Sequence, residues 1–265
     1  MPRRPEPVRI SYHSIDSRFL GRPMEHKRYG HAGRPVTVFP TSKGRFFQFE
    51  DSGAVAALSE FIEAGRIQLW TVDGIDWETF FSTEPDLQAR IGRHDEYFRY
   101  VREELFPQVV EEAKTSNAGK QLRPIMAGCS MGAFHASNFA FHYPEMVSGV
   151  IALSGVYSTR DFFGAALDGG IYYNSPLDYL PGLDDGATLA RLRDCRLIFC
   201  CGQGAWEERM LVETRELEHI LREKDIPAWV DYWGTDASHD WPWWHRQLHY
   251  FVGHWLDADA HQPRG

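Results

Sequence analysis

Short apolar runs rich in β-branched residues alternate along this chain with longer segments whose apolar positions recur at helical spacing. Residues 35–39 (PVTVF), 66–72 (RIQLWTV), 122–127 (LRPIMA), 149–153 (GVIAL), 196–201 (RLIFCC) and 228–233 (AWVDYW) read as strands. Pro124 is tolerable only near the start of its run, because it cannot donate to a sheet ladder. The more polar stretches 9–14 and 24–29 read as edge strands.

Between these runs lie amphipathic segments. Residues 54–64 place Val55, Leu58, Phe61 and Ile62 on one helical face. A longer helix over 95–113 aligns Tyr97, Phe98, Val101, Leu105, Val109 and Val110, with a kink expected at Pro107. Residues 207–224 and 241–256 complete the helices. Strands alternating with helices predict an α/β protein, a mostly parallel central sheet with helices on both faces. No internal repeat or low-complexity linker divides the chain, so one domain is expected over residues 1–265.

The chemistry sits at one strand-to-helix junction. Gly128, Cys129, Ser130, Met131 and Gly132 spell G-x-S-x-G between the run ending at 127 and the helix-compatible MGAFHASNFAFHYP. This is the context of a nucleophile elbow, in which a serine occupies a strained turn and its flanking glycines let strand and helix approach closely. A serine hydroxyl is a weak nucleophile at neutral pH and needs a base, which in turn needs a carboxylate to orient it.

Six of the twelve histidines lie late in the chain: His219, His239, His245, His249, His254 and His261. Most fall on predicted helices. His239 alone occupies a loop, GTDASHDW, directly after a strand, and is the candidate base. The acid should emerge where RLIFCC ends in GQGAWEERM, which offers Glu207 and Glu208 immediately before a helix. A first helical turn also favours glutamates through the helix dipole without any catalysis, so one of the two is expected to be a bystander. Asp231 and Asp236 are the fallback acids.

Three stretches carry a family resemblance: AGCSMGAFHASNFAFHYPEMVSGVIALSG, FCCGQGAWEE and SHDWPWWHRQLHYF. Together they resemble the esterase family within the α/β-hydrolase superfamily that includes esterase D, feruloyl esterases and mycolyltransferases, over nearly the whole chain from Pro35 to Leu256. The resemblance implies a serine hydrolase that cleaves carboxylic esters through an acyl-enzyme on Ser130, with His239 as base. The mycolyltransferase pattern would place the acid at Glu208; the shorter esterase spacing favours Glu207.

The same resemblance implies an oxyanion hole from the backbone N–H of Met131 and a second N–H after the PVTVF strand. By position that donor is Ser42, with Thr41 and Lys43 as neighbours in contention; the HGGG form of this loop is absent. Trp206 and Trp241, with Trp243 and Trp244, flank the acid and base and suggest an aromatic wall for an apolar or planar substrate. The aromatic excursion over 158–180 falls where relatives hold substrate-facing segments. Acyl transfer to an acceptor other than water and a non-catalytic binding role are the competing readings.

Composition narrows the partners. A formal net charge of −9 argues against a general nucleic-acid or anionic-membrane binder. No apolar run approaches a membrane span and no secretory signal follows the charged N-terminus, so a cytoplasmic protein acting on a small-molecule ester is expected. Cys129, Cys195, Cys200 and Cys201 show neither a disulfide framework nor paired metal spacing and read as buried reduced thiols. No H-E-x-x-H pair appears, and neither a metal nor a cofactor is expected.

Overall fold

The computed structural model describes residues 8–165 and 168–261. Eight strands form one sheet in the order β1-β2-β4-β3-β5-β6-β7-β8. They are β1 (Ile10–Ser17), β2 (Arg22–Tyr29), β3 (Arg34–Phe39), β4 (Ile67–Val72), β5 (Ile125–Cys129), β6 (Gly149–Leu153), β7 (Arg196–Cys201) and β8 (Ala228–Tyr232). From β4 through β8 every pairing is parallel. β1 and β2 form an antiparallel hairpin, and β2 runs antiparallel to β4.

The continuous apolar runs mark strands covered on both faces, and β4, β5 and β6 are buried at every residue. Alternation along each strand feeds two core clusters. Leu197 and Phe199 of β7 join Trp70, Met126 and Val150 in one. Ile198 and Cys200 join Leu69, Ile125 and Ile151 in the other. Neighbouring residues thus supply opposite faces of the sheet, as the strand period requires.

Several expectations need adjustment. Of the two stretches read as edge strands, only β1 lies at the edge, because β2 is sandwiched between β1 and β4. The strand read as 122–127 is Ile125–Cys129, starting just after Pro124, which has no N–H to give a ladder. Residues 54–64 bury their four marker residues but form two short helices, Ala54–Ala57 and Ser59–Glu63. The break is at Leu58, whose N–H bonds the carbonyl of Val55 rather than one a full turn back.

The long helix begins earlier than expected. Leu87–Tyr100 is capped by Asp86, whose carboxylate accepts the N–H groups of Gln88 and Ala89. Its N-terminal half escaped the periodicity because His94, fully buried, occupies a position on the apolar stripe. The kink at Pro107 is a π-helical segment, Val101–Leu105, leading into Phe106–Ser116. Lacking an N–H, proline leaves the carbonyl one turn earlier without its usual donor, and the widened turn accommodates this.

A second buried histidine has a consequence for stability. His26 on β2 lies opposite His13 on β1, with the rings stacked 5.0 Å apart and Trp70 beside both. Neither His26 ring nitrogen has a hydrogen-bond partner among the described residues. Burial, and secondarily the neighbouring His13, lowers its pKa to about 4, against about 6.5 in an unfolded chain. The unfolded state therefore binds the extra proton first. The stability from keeping His26 neutral is complete above about pH 6.5 and is lost as pH falls towards 4, by about 3 kcal/mol in all. Urea midpoints at pH 7 and pH 4.5 are expected to fall further for the parent chain than for His26→Phe; equal losses would remove His26 as a source of acid sensitivity.

Candidate active site

Ser130 follows β5 directly and opens the helix Met131–His142, with φ 55° and ψ −123°. That left-handed conformation is unfavourable for a residue with a side chain and persists only where the surroundings impose it. They do so by close packing. A Cβ on Gly128 would lie 2.2 Å from the carbonyl carbon of Gly132, and one on Gly132 would lie 2.4 Å from the carbonyl oxygen of Phe39. The Ser130 N–H is anchored to the Leu153 carbonyl oxygen at 2.9 Å.

The loops after β7 and β8 are joined by their backbones. The Gly204 N–H bonds the Ala237 carbonyl at 2.8 Å, and the His239 N–H bonds the Ala205 carbonyl at 3.0 Å. This explains the glycines of GQG: a Cβ on Gly202 or Gly204 would meet the Ala237 oxygen at 2.1 or 2.7 Å. The joined loops carry Glu207 and His239 to the same place as Ser130.

His239 Nε2 lies 3.0 Å from Ser130 Oγ, and His239 Nδ1 lies 3.3 Å from Glu207 Oε2. Glu207 is 1% exposed. Its other oxygen, Oε1, accepts the Ser154 hydroxyl at 2.5 Å, and Ser154 Oγ in turn accepts the indole N–H of Trp244 at 3.0 Å. The Trp244 ring stands edge-on to His239 with centroids 4.8 Å apart. Cys201 Sγ lies 3.5 Å from Glu207 Oε2, and burial together with the Glu207 charge pushes that thiol well above its ordinary range. The arrangement is a buried carboxylate, an imidazole and a partly exposed hydroxyl in series, able to pass one proton between hydroxyl and imidazole.

Of the two glutamates read from the sequence, Glu207 is the residue just before the helix Glu208–Glu223 and faces His239, whereas Glu208 is exposed on its first turn. Asp231 is half-buried within β8 and Asp236 is exposed; neither bonds His239 among the described residues. Met131 is buried at the start of its helix, where backbone N–H groups have no intrahelical acceptor. In the loop after β3, the N–H of Thr41 is taken by Gln48 Oε1 at 2.8 Å and that of Lys43 by Asp76 Oδ2 at 2.9 Å. The Ser42 N–H between them has no bond among the described residues.

Trp206 is 77% exposed beside Glu207. Trp241 is half-buried, edge-on to Phe49 and Trp244, and lines a cavity of about 470 Å³ with Lys43, Phe47 and Gln48. Trp243 meets Trp233 instead. Within the excursion over 158–180, Phe163 and Tyr179 are packed into the core, and residues 166–167 lie outside the described part. A larger cavity, about 620 Å³, opens at the opposite, amino ends of the strands beside Arg34, Ser148 and Arg196. It holds no hydroxyl–imidazole pair.

Sequence reasoning did not single out Ser154. Its signal was faint: a serine before a glycine at the end of a strand, LSG, which shares the left-handed backbone of Ser130 with φ 50°. All four cysteines are free and buried. Among the described residues no group of three or more His, Cys, Asp or Glu side chains could hold a metal ion, and no helix is long and apolar enough to cross a membrane.

The family model described as Putative esterase matches residues 48–254, more than half of the chain. The chain belongs to that esterase family. As a member, it is an esterase. The matched span includes Ser130, Glu207 and His239 but begins after the Thr41–Lys43 loop. No curated protein matches the sequence of this esterase.

Solved structures share its fold at low identity. A ferulic acid esterase aligns at TM-score 0.73 and 16% identity, covering 94% of this esterase and 97% of that chain. An S-formylglutathione hydrolase from Agrobacterium tumefaciens aligns at 0.70 and 15%, covering 94% and 95%. The fluorophosphonate-binding serine hydrolase F of Staphylococcus aureus aligns at 0.65 and 14%, covering 95% and 99%.

Replacing Ser154 by alanine in this esterase removes the donor to Glu207 Oε1 and the acceptor of the Trp244 indole together. Loss of a buried hydrogen bond to a charged group is expected to cost about 2 kcal/mol in urea unfolding at pH 7. No measurable loss would mean that water replaces the hydroxyl without penalty.

Proposed function

We propose that Ser130, His239 and Glu207 form the catalytic triad of this esterase, and that it hydrolyses small-molecule carboxylic esters through an acyl-enzyme on Ser130. The observation that carries the reading is the series of contacts from Ser130 Oγ to His239 Nε2 at 3.0 Å and from His239 Nδ1 to Glu207 Oε2 at 3.3 Å.

His239 Nε2 takes the Ser130 proton as Oγ attacks the ester carbonyl. The charge that develops on the carbonyl oxygen is held by the N–H groups of Met131 and Ser42. The tetrahedral intermediate collapses, the bond to the alkoxy oxygen breaks, and His239 returns the proton to the departing alcohol. Water then attacks the acyl-serine with His239 taking its proton; the bond to Oγ breaks, the carboxylic acid leaves and Ser130 is reprotonated. Glu207 stays ionised and stabilises the imidazolium. No metal or cofactor is needed for any of these steps.

Hydrolysis is favoured over transfer to another acceptor because the imidazole is open to solvent, with 17% of its side chain exposed, so water can reach the acyl-serine. Trp206 and Trp241 flank the acid and base and suit a planar or apolar group on the acyl or alcohol side of the ester.

Fluorophosphonate is expected to label Ser130, located by peptide mass, and Ser130→Ala is expected to abolish the adduct. Ser130→Ala and His239→Ala should each lower kcat by about 10⁴-fold or more, with Glu207→Gln close behind, because the three groups act as a unit. Glu208→Gln should stay within about twofold of the parent, as an exposed surface change outside the unit. Turnover that survives in both Ser130→Ala and His239→Ala would overturn the reading.

A further inference from the structure

An oxyanion hole works only if its donors already point at the place where charge develops, and small displacements of such donors are costly. In this chain one proposed donor, Met131, is fixed by the elbow. The other, Ser42, lies on a loop across β3, and its aim depends on what holds the loop to the elbow helix.

Asp76 supplies that hold. It lies in the short turn after β4, is 2% exposed, and its two oxygens reach two different elements. Oδ2 accepts the N–H of Lys43, the residue immediately after Ser42, at 2.9 Å. Oδ1 is 2.9 Å from Nε2 of His135, also 2% exposed, on the helix that Ser130 opens. An ionised carboxylate only accepts, so the His135 proton on this bond belongs to Nε2. Nδ1 of His135 has no partner among the described residues, which leaves Asp76 as the group that orients the ring. Packing of His135 against Phe39, Phe80 and His94 keeps it in place.

Lys43 itself is left-handed, with φ 62°, a conformation that a side-chain-bearing residue keeps only under restraint. On the other side of Ser42, Gln48 grips Thr41 twice, accepting its N–H and donating to its Oγ1, both at 2.8 Å. The N–H groups on both sides of Ser42 are therefore spent within the protein, and the one between them has no bond among the described residues.

We infer that Asp76, braced by His135, is a positioning residue that ties the Ser42 loop to the nucleophile's helix and so aims the Ser42 N–H at the oxyanion. The inference rests on the proposed roles of Ser130 and Ser42. Asp76 touches no reacting atom; it acts through the backbone of Lys43.

The test uses the full chain, p-nitrophenyl acetate as substrate and fluorophosphonate titration to count active sites. Asp76→Ala is expected to lower kcat per labelled site by about 10²-fold while KM stays within about twofold, as for a lost oxyanion donor. Asp76→Asn keeps an oxygen for the Lys43 N–H and is expected to restore kcat to within about fivefold of the parent. A merely structural role would instead lower the melting temperature and the labelled fraction while leaving kcat per labelled site unchanged in Asp76→Ala, and that result would overturn the inference. Should Asp76→Ala not fold, His135→Ala is read in its place, with about a tenfold kcat loss at constant KM expected and an unchanged kcat overturning it. A parent chain with no adduct on Ser130 would overturn the triad and this inference together, whereas an adduct with unchanged kcat in the variants overturns only the latter.

Discussion

Everything at the candidate site hangs on how closely one helix can approach two strands. The Met131–His142 helix lies with Gly132 against the Phe39 and Pro40 carbonyls and Gly128 against Gly132, at distances that leave no room for a Cβ. This contact forces Ser130 into its left-handed conformation. It also fixes β3 beside β5, so that the loop leaving β3 and the serine leaving β5 emerge together. Without that approach the proposed oxyanion donors would be carried on elements that do not meet.

The parallel sheet does the remaining assembly by stepping from one strand end to the next. The N–H of Ser130 bonds the last residue of β6, Ser154 bonds the Cys200 carbonyl, and Trp233 bonds the Cys201 carbonyl. Residues far apart in sequence, Ser130, Ser154, Glu207 and His239, thereby meet at one edge, as is general for open parallel sheets whose sites lie beyond the carboxyl ends of the strands. Glu207 is the buried member and His239 the partly open one, which in the proposed triad separates the group that must stay oriented from the group that must exchange protons.

Legibility in the sequence followed the kind of interaction. The strands β3 to β7 were readable because burial on both faces leaves a nearly continuous apolar run, and the half-buried edge strand β8 because of its aromatic and β-branched residues. The elbow was readable because a strained turn demands glycine on both sides of Ser130, and His239 because it stands in a loop among histidines that otherwise fall mainly on helices. What was hidden depends on partners distant in the chain. Glu207 and Glu208 differ only in which way one helical turn faces, and nothing local distinguishes them. Ser154, Asp76 and His135 are ordinary residue types in ordinary segments; their importance lies in a second residue many positions away. The split of residues 54–64 and the π turn before Pro107 are backbone adjustments to packing, invisible to a periodicity that counts only side chains.

The four cysteines have a practical consequence for handling this esterase. Cys129, Cys195, Cys200 and Cys201 are all buried, and burial raises every one of their thiols, Cys195 to about 11. Alkylation proceeds through the thiolate, so none of them competes at neutral pH. A single cysteine placed on the exposed surface would then take a maleimide dye or spin label by itself, and the native chain already serves as the background for distance or solvent-exposure measurements.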